Sequence, residues 1–185
     1  MPGLDDGVQP VELRDDRLLL RLPDQRDVDG VSEACQDPAI QHWIPVPVPY
    51  ERTHAEEWVS GATAGWADDG ELRWAVTDAN DGAFLGAMSL HAHGDAAVRE
   101  VGFWTAPWAR GSGVTTCAVG IVCHWAFESL HLARIEWLAA VGNEASRKVA
   151  ERAGFTQEGT LRARIAHRGE RRDAWIASLL PGDLA

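Results

Sequence analysis

Glu100-Val101-Gly102-Phe103-Trp104-Thr105, followed by Ala106-Pro107-Trp108-Ala109-Arg110-Gly111-Ser112-Gly113-Val114-Thr115, is the stretch whose reading decides the fold. Residues 98–105 read as a strand. Pro107 and the two glycines then make a loop. Val114, Cys117, Ala118, Ile121, Val122 and Trp125 recur at helical spacing, so a helix with one apolar face runs over 113–130. The first turn of a helix leaves about four amide donors unpaired and carries partial positive charge. Two glycines let backbone approach an anion closely. Together these features make a cradle for a diphosphate. It is not a Walker loop, because G-x-x-x-x-G-K-[ST] is absent. Nor is it a dinucleotide fingerprint, because the third glycine and the acid about twenty residues on are missing. A turn that merely connects strand and helix is the alternative reading of the same residues.

Outward from this centre the elements run βααβββαβαββ. Residues 17–22 form a first strand. Pro23-Asp24 opens a helix to about Cys35, capped by Asp24 or Asp27. Ile44-Pro45-Val46-Pro47-Val48-Pro49-Tyr50 is neither helix nor central strand, because three prolines remove three donors. Thr53-x-x-Glu56 reads as a capping box that starts a helix to about Ala67. Leu72, Trp74 and Val76 alternate with polar neighbours, and residues 83–91 follow an Asn80-Asp81-Gly82 turn, giving two more strands. A strand over 134–141 precedes a helix that Asn143 caps and Gly154 ends. Strands over 155–165 and 171–180 pair around His167-Arg168-Gly169-Glu170. This is an α/β or α+β pattern with a mixed sheet of about seven strands and about four helices. Residues 1–10 read as a flexible N-terminal tail and 11–185 as a single domain.

Twenty-eight acids against seventeen bases give a net charge of -11 and a pI near 5.0. Binding to a phosphate backbone wants a basic face, so no nucleic-acid partner is expected. No run approaches the ~18 apolar residues of a membrane span. The acidic start, Met1-Pro2-Gly3-Leu4-Asp5-Asp6, lacks a signal-peptide pattern. A cytoplasmic protein with no membrane partner is the expectation. Cys35, Cys117 and Cys123 have no metal-site spacing, so they read as reduced, packed thiols and no metal is expected.

Arg110-Gly111-Ser112-Gly113-Val114-Thr115 resembles the Q/R-x-x-G-x-G/A acyl-CoA pyrophosphate motif of the GNAT acetyltransferase superfamily. Glu100-Val101-Gly102-Phe103-Trp104 resembles the preceding strand of its RimJ/RimL-like branch. Asn143-Glu144-Ala145-Ser146 through Gly154-Phe155 is similar to that branch's N-x-x-S…G-F segment. Glu158-Gly159-Thr160-Leu161-Arg162 and Arg168-Gly169-Glu170-Arg171-Arg172-Asp173 match its C-terminal hairpin. The likeness runs from about Leu18 to Leu180. Thr115 departs from it, standing where the motif has a small residue.

The resemblance implies a GNAT fold: a mostly antiparallel twisted sheet splayed between the fourth and fifth strands. It also implies acyl transfer from acetyl-CoA, or a larger acyl-CoA such as succinyl-CoA, to a primary amine by direct attack in a ternary complex. Val101, Phe103 and Thr105 would offer backbone groups to the pantetheine arm as an added strand does. Gly111, Ser112, Gly113, Val114 and Thr115 would give amides to the pyrophosphate, with the Arg110 side chain and Thr116 hydroxyl near it. Asn143 would lie by the pantetheine, and Ser146 would protonate the departing thiolate. Structurally, Asn143 is also an N-cap and Ser146 a first-turn residue.

An amine must be deprotonated before it attacks, and Glu100 is the candidate base, with His91 and His93 behind it. The Val101 or Phe103 amide could serve the oxyanion. Alternatively, Glu100 is an edge carboxylate paired to Arg99 or Arg134. Trp43 and Tyr50 are placed in the acceptor pocket, where two rings could cage an alkylammonium. His42 and His167 could line its rim. Residues 36–70 carry Asp37, Glu51, Glu56, Glu57, Asp68 and Asp69 against Arg52, a surface that either draws in a cationic amine or merely solvates a helix. The acceptor is a protein N-terminus or a small amine. A homodimer, a CoA-binding regulator without turnover and a plain interaction domain stay open.

Overall fold

Strand periodicity sorts the apolar residues onto the two faces of one sheet. Residues 8–184 are described by a computed structural model. The strands are Leu13–Arg14 (β1), Leu18–Arg21 (β2), Glu71–Asp78 (β3), Phe84–Ala92 (β4), Val98–Thr105 (β5), Arg134–Ala140 (β6), Thr156–His167 (β7) and Glu170–Leu179 (β8). The helices are Val28–Ala34 (α1), Pro38–Trp43 (α2), Arg52–Ser60 (α3), Ala62–Ala67 (α4), Val114–Ser129 (α5) and Glu144–Arg152 (α6). The eight strands form one open sheet in the order β1-β2-β3-β4-β5-β6-β8-β7.

On one face Leu72, Trp74, Val76, Met88, Leu90 and Val101 pack with α5, whose Val114, Ala118, Val119, Val122 and Ala126 are buried. Trp66 completes this larger core, its ring edge-on to Trp74 at 4.8 Å. The other face holds a smaller core of Val28, Val31, Ile40, Tyr50, Ala55 and Phe84 under α1 to α3. Each fully buried aliphatic or aromatic side chain contributes about 1.5–3 kcal/mol. The α5 side therefore carries more of the fold's stability.

Every strand pair is antiparallel except β5–β6. That parallel pair holds only at Val98↔Arg134, Arg99↔Ile135 and Glu100↔Glu136. Beyond Glu100, β5 stays paired to β4 as far as Thr105↔Gly86, while β6 pairs β8 through Ala140↔Ala174. The sheet thus opens into a wedge. It lies between the fourth and fifth strands of the sequence reading, which become β5 and β6 once β1 is counted.

The structure departs from the sequence reading in several places. The extra strand β1 pairs Leu13 with Leu20, and just ahead of it the Val11 carbonyl accepts from Trp74 Nε1 at 3.0 Å. Val8 packs on the core as well. Residues 1–7 of the expected tail lie outside the described residues. Asp24 does cap, but it caps a 3-10 turn, Gln25–Asp27, that leads into α1. Between α1 and the proline-rich loop stands α2, whose Asp37 cap accepts from the Ile40 amide at 3.0 Å. The helix expected over 53–67 is two helices meeting at Gly61. Its N-cap is Glu51, whose amide donates to His54 Nδ1 at 3.0 Å, and not Thr53.

Candidate active site

The cradle is built by backbone geometry. Gly111 and Gly113 sit at φ +77° and +80°, where side chains are strained, and a Cβ on either would point into open space. Gly113 is the N-cap of α5, and no side chain caps that helix. The first-turn amides therefore have no intrahelical partner. Loop carbonyls are tied down instead: Ser112 Oγ donates to the Ala109 carbonyl at 2.6 Å, and the Arg17 guanidinium donates to the Ser112 carbonyl at 3.0 Å. Free amides, open space and a helix N-terminus together fit a pyrophosphate. Arg17 lies far away in sequence and shows no motif, so the sequence reading missed it.

Two side chains of the motif are engaged elsewhere. Arg110 forms an ion pair with Asp37 at 2.6 Å, and its guanidinium holds the Asp37 carboxyl below the usual carboxylate range. Arg110, expected beside the phosphates, is here latched to the start of α2. Thr115 hydrogen-bonds through its hydroxyl to the Thr105 hydroxyl. The branched side chain is accommodated against β5, which joins the end of the wedge strand to the first turn of α5.

Glu100 stands at the point where β5 and β6 part, being the last residue paired across them. Neither arginine proposed as its partner holds it. Arg99 pairs with Asp69, and Arg134 with Glu136 and Glu158. The partner is His93, whose Nε2 lies 3.2 Å from Glu100 Oε2. His91 faces Glu100 across β4–β5, and its Nε2 lies 2.9 Å from Ser89 Oγ. Gly102 sits beneath this pair, where a Cβ would come within 2.8 Å of Ser89 Oγ and 3.1 Å of His91 Nε2. Glycine here leaves the face beside Glu100 to the two histidines.

On the other arm of the wedge, Asn143 caps α6, its Oδ1 accepting from the Ser146 amide at 3.3 Å. Ser146 Oγ accepts from the buried Trp137 indole N–H at 3.0 Å. That bond occupies a lone pair of the hydroxyl and leaves its proton to be donated. Trp137, which sequence periodicity reads only as core, thus fixes the Ser146 hydroxyl.

Helix α2 reaches from one arm to the other. Asp37 at its start holds Arg110. At its end the Arg172 guanidinium donates to the His42 carbonyl at 3.1 Å, and Arg168 donates to the Gln41 and Val46 carbonyls at 3.0 and 3.2 Å. The Trp43 ring comes within 3.7 Å of where a Gly142 side chain would begin, beside the Asn143 cap. Trp43 therefore lies beside the turn that leads from β6 into α6. Tyr50 does not join it. Tyr50 is 7% exposed and packs in the smaller core with Cys35, and burial pushes its pKa up. The expected two-ring cage is thus a single indole with His42 edge-on at 4.4 Å. His167 is buried, not a rim residue, and burial lowers its pKa.

The lure of residues 36–70 is weaker than their composition, because Asp37, Glu56 and Asp69 are in ion pairs. The cysteines are free, with burial pushing Cys35 and Cys117 up to about 11 and Cys123 up to about 12, so none is a nucleophile at neutral pH. Among the described residues no cluster of three metal-ligating side chains occurs, and no helix is long and apolar enough to cross a membrane.

Comparison with known proteins agrees with this geometry. The family model described as Acetyltransferase (GNAT) domain matches residues 17–156. The protein named Putative ribosomal N-acetyltransferase YdaF, of Bacillus subtilis (strain 168), is 42% identical over 102 residues, which are 54% of this chain and 55% of that protein. The chain thus spans about half the length of that relative. Among solved structures, Mycobacterium smegmatis RimJ in complex with CoA-disulfide superposes with a TM-score of 0.81 at 26% identity, covering 99% of this chain and 91% of that one. Ribosomal-protein-S5-alanine acetyltransferase from Vibrio fischeri shares the fold, with a TM-score of 0.79 at 19% identity over 95% and 99% of the two chains. Together with the wedge and the uncapped helix beside it, the match over residues 17–156 establishes that the chain belongs to the GNAT acetyltransferase family.

Proposed function

We propose that the protein is an acetyl-CoA-dependent N-acetyltransferase whose acceptor is a polypeptide N-terminal amine. The single observation that carries this is the wedge. Strand β5 loses its β6 partner at Glu100, directly upstream of a helix whose first-turn amides are free. The naming of YdaF as a ribosomal N-acetyltransferase favours a protein amine over a small one.

The bound acyl-CoA supplies the thioester. The chain's own residues do the rest. Amides from Gly111 to Thr116 hold the pyrophosphate, and the edge of β5 that β6 leaves open over 101–105 aligns the pantetheine arm. Glu100 takes the proton of the ammonium and shares it with His93, 3.2 Å away and one-third exposed to solvent. Ser146, oriented by Trp137, donates its proton to the departing sulfur. Asn143 keeps its side-chain amide for the pantetheine, because its oxygen is used in capping α6. Trp43 and α2 wall the entrance through which the amine arrives.

The test is a thioester-consumption assay with acetyl-CoA and succinyl-CoA over a panel of N-terminal peptides and small amines. Turnover with acetyl-CoA and a peptide N-terminus supports the reading. CoA binding without consumption on any amine overturns it in favour of a regulator, and a preference for succinyl-CoA overturns the choice of acyl group.

A further inference from the structure

Residues 162–172, at the turn end of the β7–β8 hairpin, carry Arg162, Arg164, Arg168, Arg171 and Arg172 against one acid, Glu170. The chain as a whole stands at -11. Among the described residues, every arginine from Arg21 through Arg147 is in an ion pair. None of the five on the hairpin is paired. Arg14, Arg17, Lys148 and Arg152 also lack an ion pair, but five of the nine unpaired bases among the described residues lie on this one hairpin.

The hairpin presents that charge by construction. Its register breaks between Leu161 and Ile165, so residues 162–164 bulge out of the ladder and are exposed. Ala163 is held there at φ +52°, left-handed although not glycine, with its amide donating to Asp173 Oδ1 at 2.8 Å. The nearest acid beyond Glu170 therefore props the bulge and neutralises no arginine. Arg171 lies along the bulge, its guanidinium 3.5 Å from the Arg164 carbonyl. Arg168 and Arg172 turn the other way and tie the hairpin to α2 and the proline-rich loop. Three exposed guanidiniums without an acidic partner thus stand on the same hairpin whose other two arginines hold α2.

Resting on the N-acetyltransferase reading above, we propose that Arg162, Arg164 and Arg171 form a docking surface for acidic side chains that follow the acceptor amine on a polypeptide. A guanidinium fork matches a carboxylate with two parallel hydrogen bonds. A polypeptide whose amine sits at Glu100 and whose next residues are acidic meets carboxylate at the wedge and guanidinium at the hairpin. Its own charges are arranged in the matching order. A nucleic acid fits less well, because an extended phosphate backbone would run off this small patch onto a strongly acidic surface.

The experiment uses the full chain and two peptides with the same two N-terminal residues, one continuing with Glu and Asp, the other with Ser and Gly. Binding is read by fluorescence anisotropy and turnover by acetyl-CoA consumption, both against ionic strength. The acidic peptide should bind about tenfold tighter at low salt and lose the advantage as salt rises. Arg162→Ser combined with Arg164→Ser should abolish the preference while leaving turnover of the neutral peptide unchanged. Equal binding of the two peptides, or a preference that survives the double variant, overturns the proposal. So does an RNA oligonucleotide that binds tighter than the acidic peptide and needs the same arginines. Anisotropy reads docking without chemistry. Salt-sensitive binding without acetyl-CoA consumption would keep the surface and discard the transferase reading instead.

Discussion

The Gly-rich loop, residues 107–116, proposed to hold phosphate, and residues 36–50, proposed to wall the acceptor entrance, stand on opposite sides of one latch, and they are built by different means. In the loop, two left-handed glycines and an uncapped helix start do the work within ten residues. In the wall, a six-residue helix is held by Arg110 at one end and by Arg168 and Arg172 at the other, partners more than seventy residues away. The loop's chemistry is a property of local backbone, whereas the wall's is a property of tertiary contacts. Cofactor handling should therefore respond to changes inside the loop, and acceptor handling to changes anywhere along the latch.

The largest expected effect tests the local half. Gly113→Val should weaken acyl-CoA binding by more than about a hundredfold, since a branched side chain would fill the open space where phosphate sits and strain the backbone by about 1–3 kcal/mol. Gly113→Ala separates the two causes, because it brings the strain with less bulk. Calorimetric titration with CoA and a thermal melt read binding and folding apart. A folded valine variant that binds CoA normally would remove the cradle from the mechanism.

Glu100→Gln comes next, at the crotch between the two regions. Loss of a general base costs about 10²–10⁴ in turnover. The rate should recover partly at high pH, where free amine is plentiful. A wild-type pH–rate profile in this variant would pass the role to His91, His93 or water.

Asp37→Asn tests the latch itself. The carboxyl is held low by Arg110, so its stabilisation is present above the ordinary carboxylate range and lost as pH falls through its depressed pKa. The variant should lose about 1 kcal/mol or less of stability, since the pair is partly exposed and the Ile40 cap survives in weaker form. Acceptor KM should rise several-fold with kcat held, and Arg110→Gln should add little on top. Additive effects of the two variants would show that loop and wall are independent.

The same contrast explains what the sequence made legible. Residues 98–130 were read correctly because strand alternation, two glycines and a helical stripe are all local. Helix α2 went unread because six residues between Asp37 and a proline run are too short to show a period. The break at Gly61 was hidden by an apolar pattern that continues through it. Tyr50 was misplaced because a proline loop gives no periodicity to tell an inward ring from an outward one, and only the fold shows it turned to Cys35. The pairing of Glu100 with His93 across the β4–β5 turn was likewise invisible in a linear reading.

The smallest effect sharpens the comparison on the opposite arm. Ser146 accepts from the Trp137 indole, and in the proposed mechanism it also donates to the departing sulfur. Ser146→Ala removes both, and it also strands a buried N–H, which costs about 1–3 kcal/mol. Trp137→Phe removes only the first task, leaving a hydroxyl free to rotate. Turnover should fall several-fold in Ser146→Ala and about twofold in Trp137→Phe, because thiolate is already a good leaving group. In the double variant the stability lost to the stranded N–H should return, since no indole donor is left unmet, while turnover stays at the Ser146→Ala level. Melting temperatures and kcat measured on the three proteins separate the tasks. If the double variant also restored turnover, Ser146 would act only as a partner for Trp137, and the proton for the sulfur would come from elsewhere.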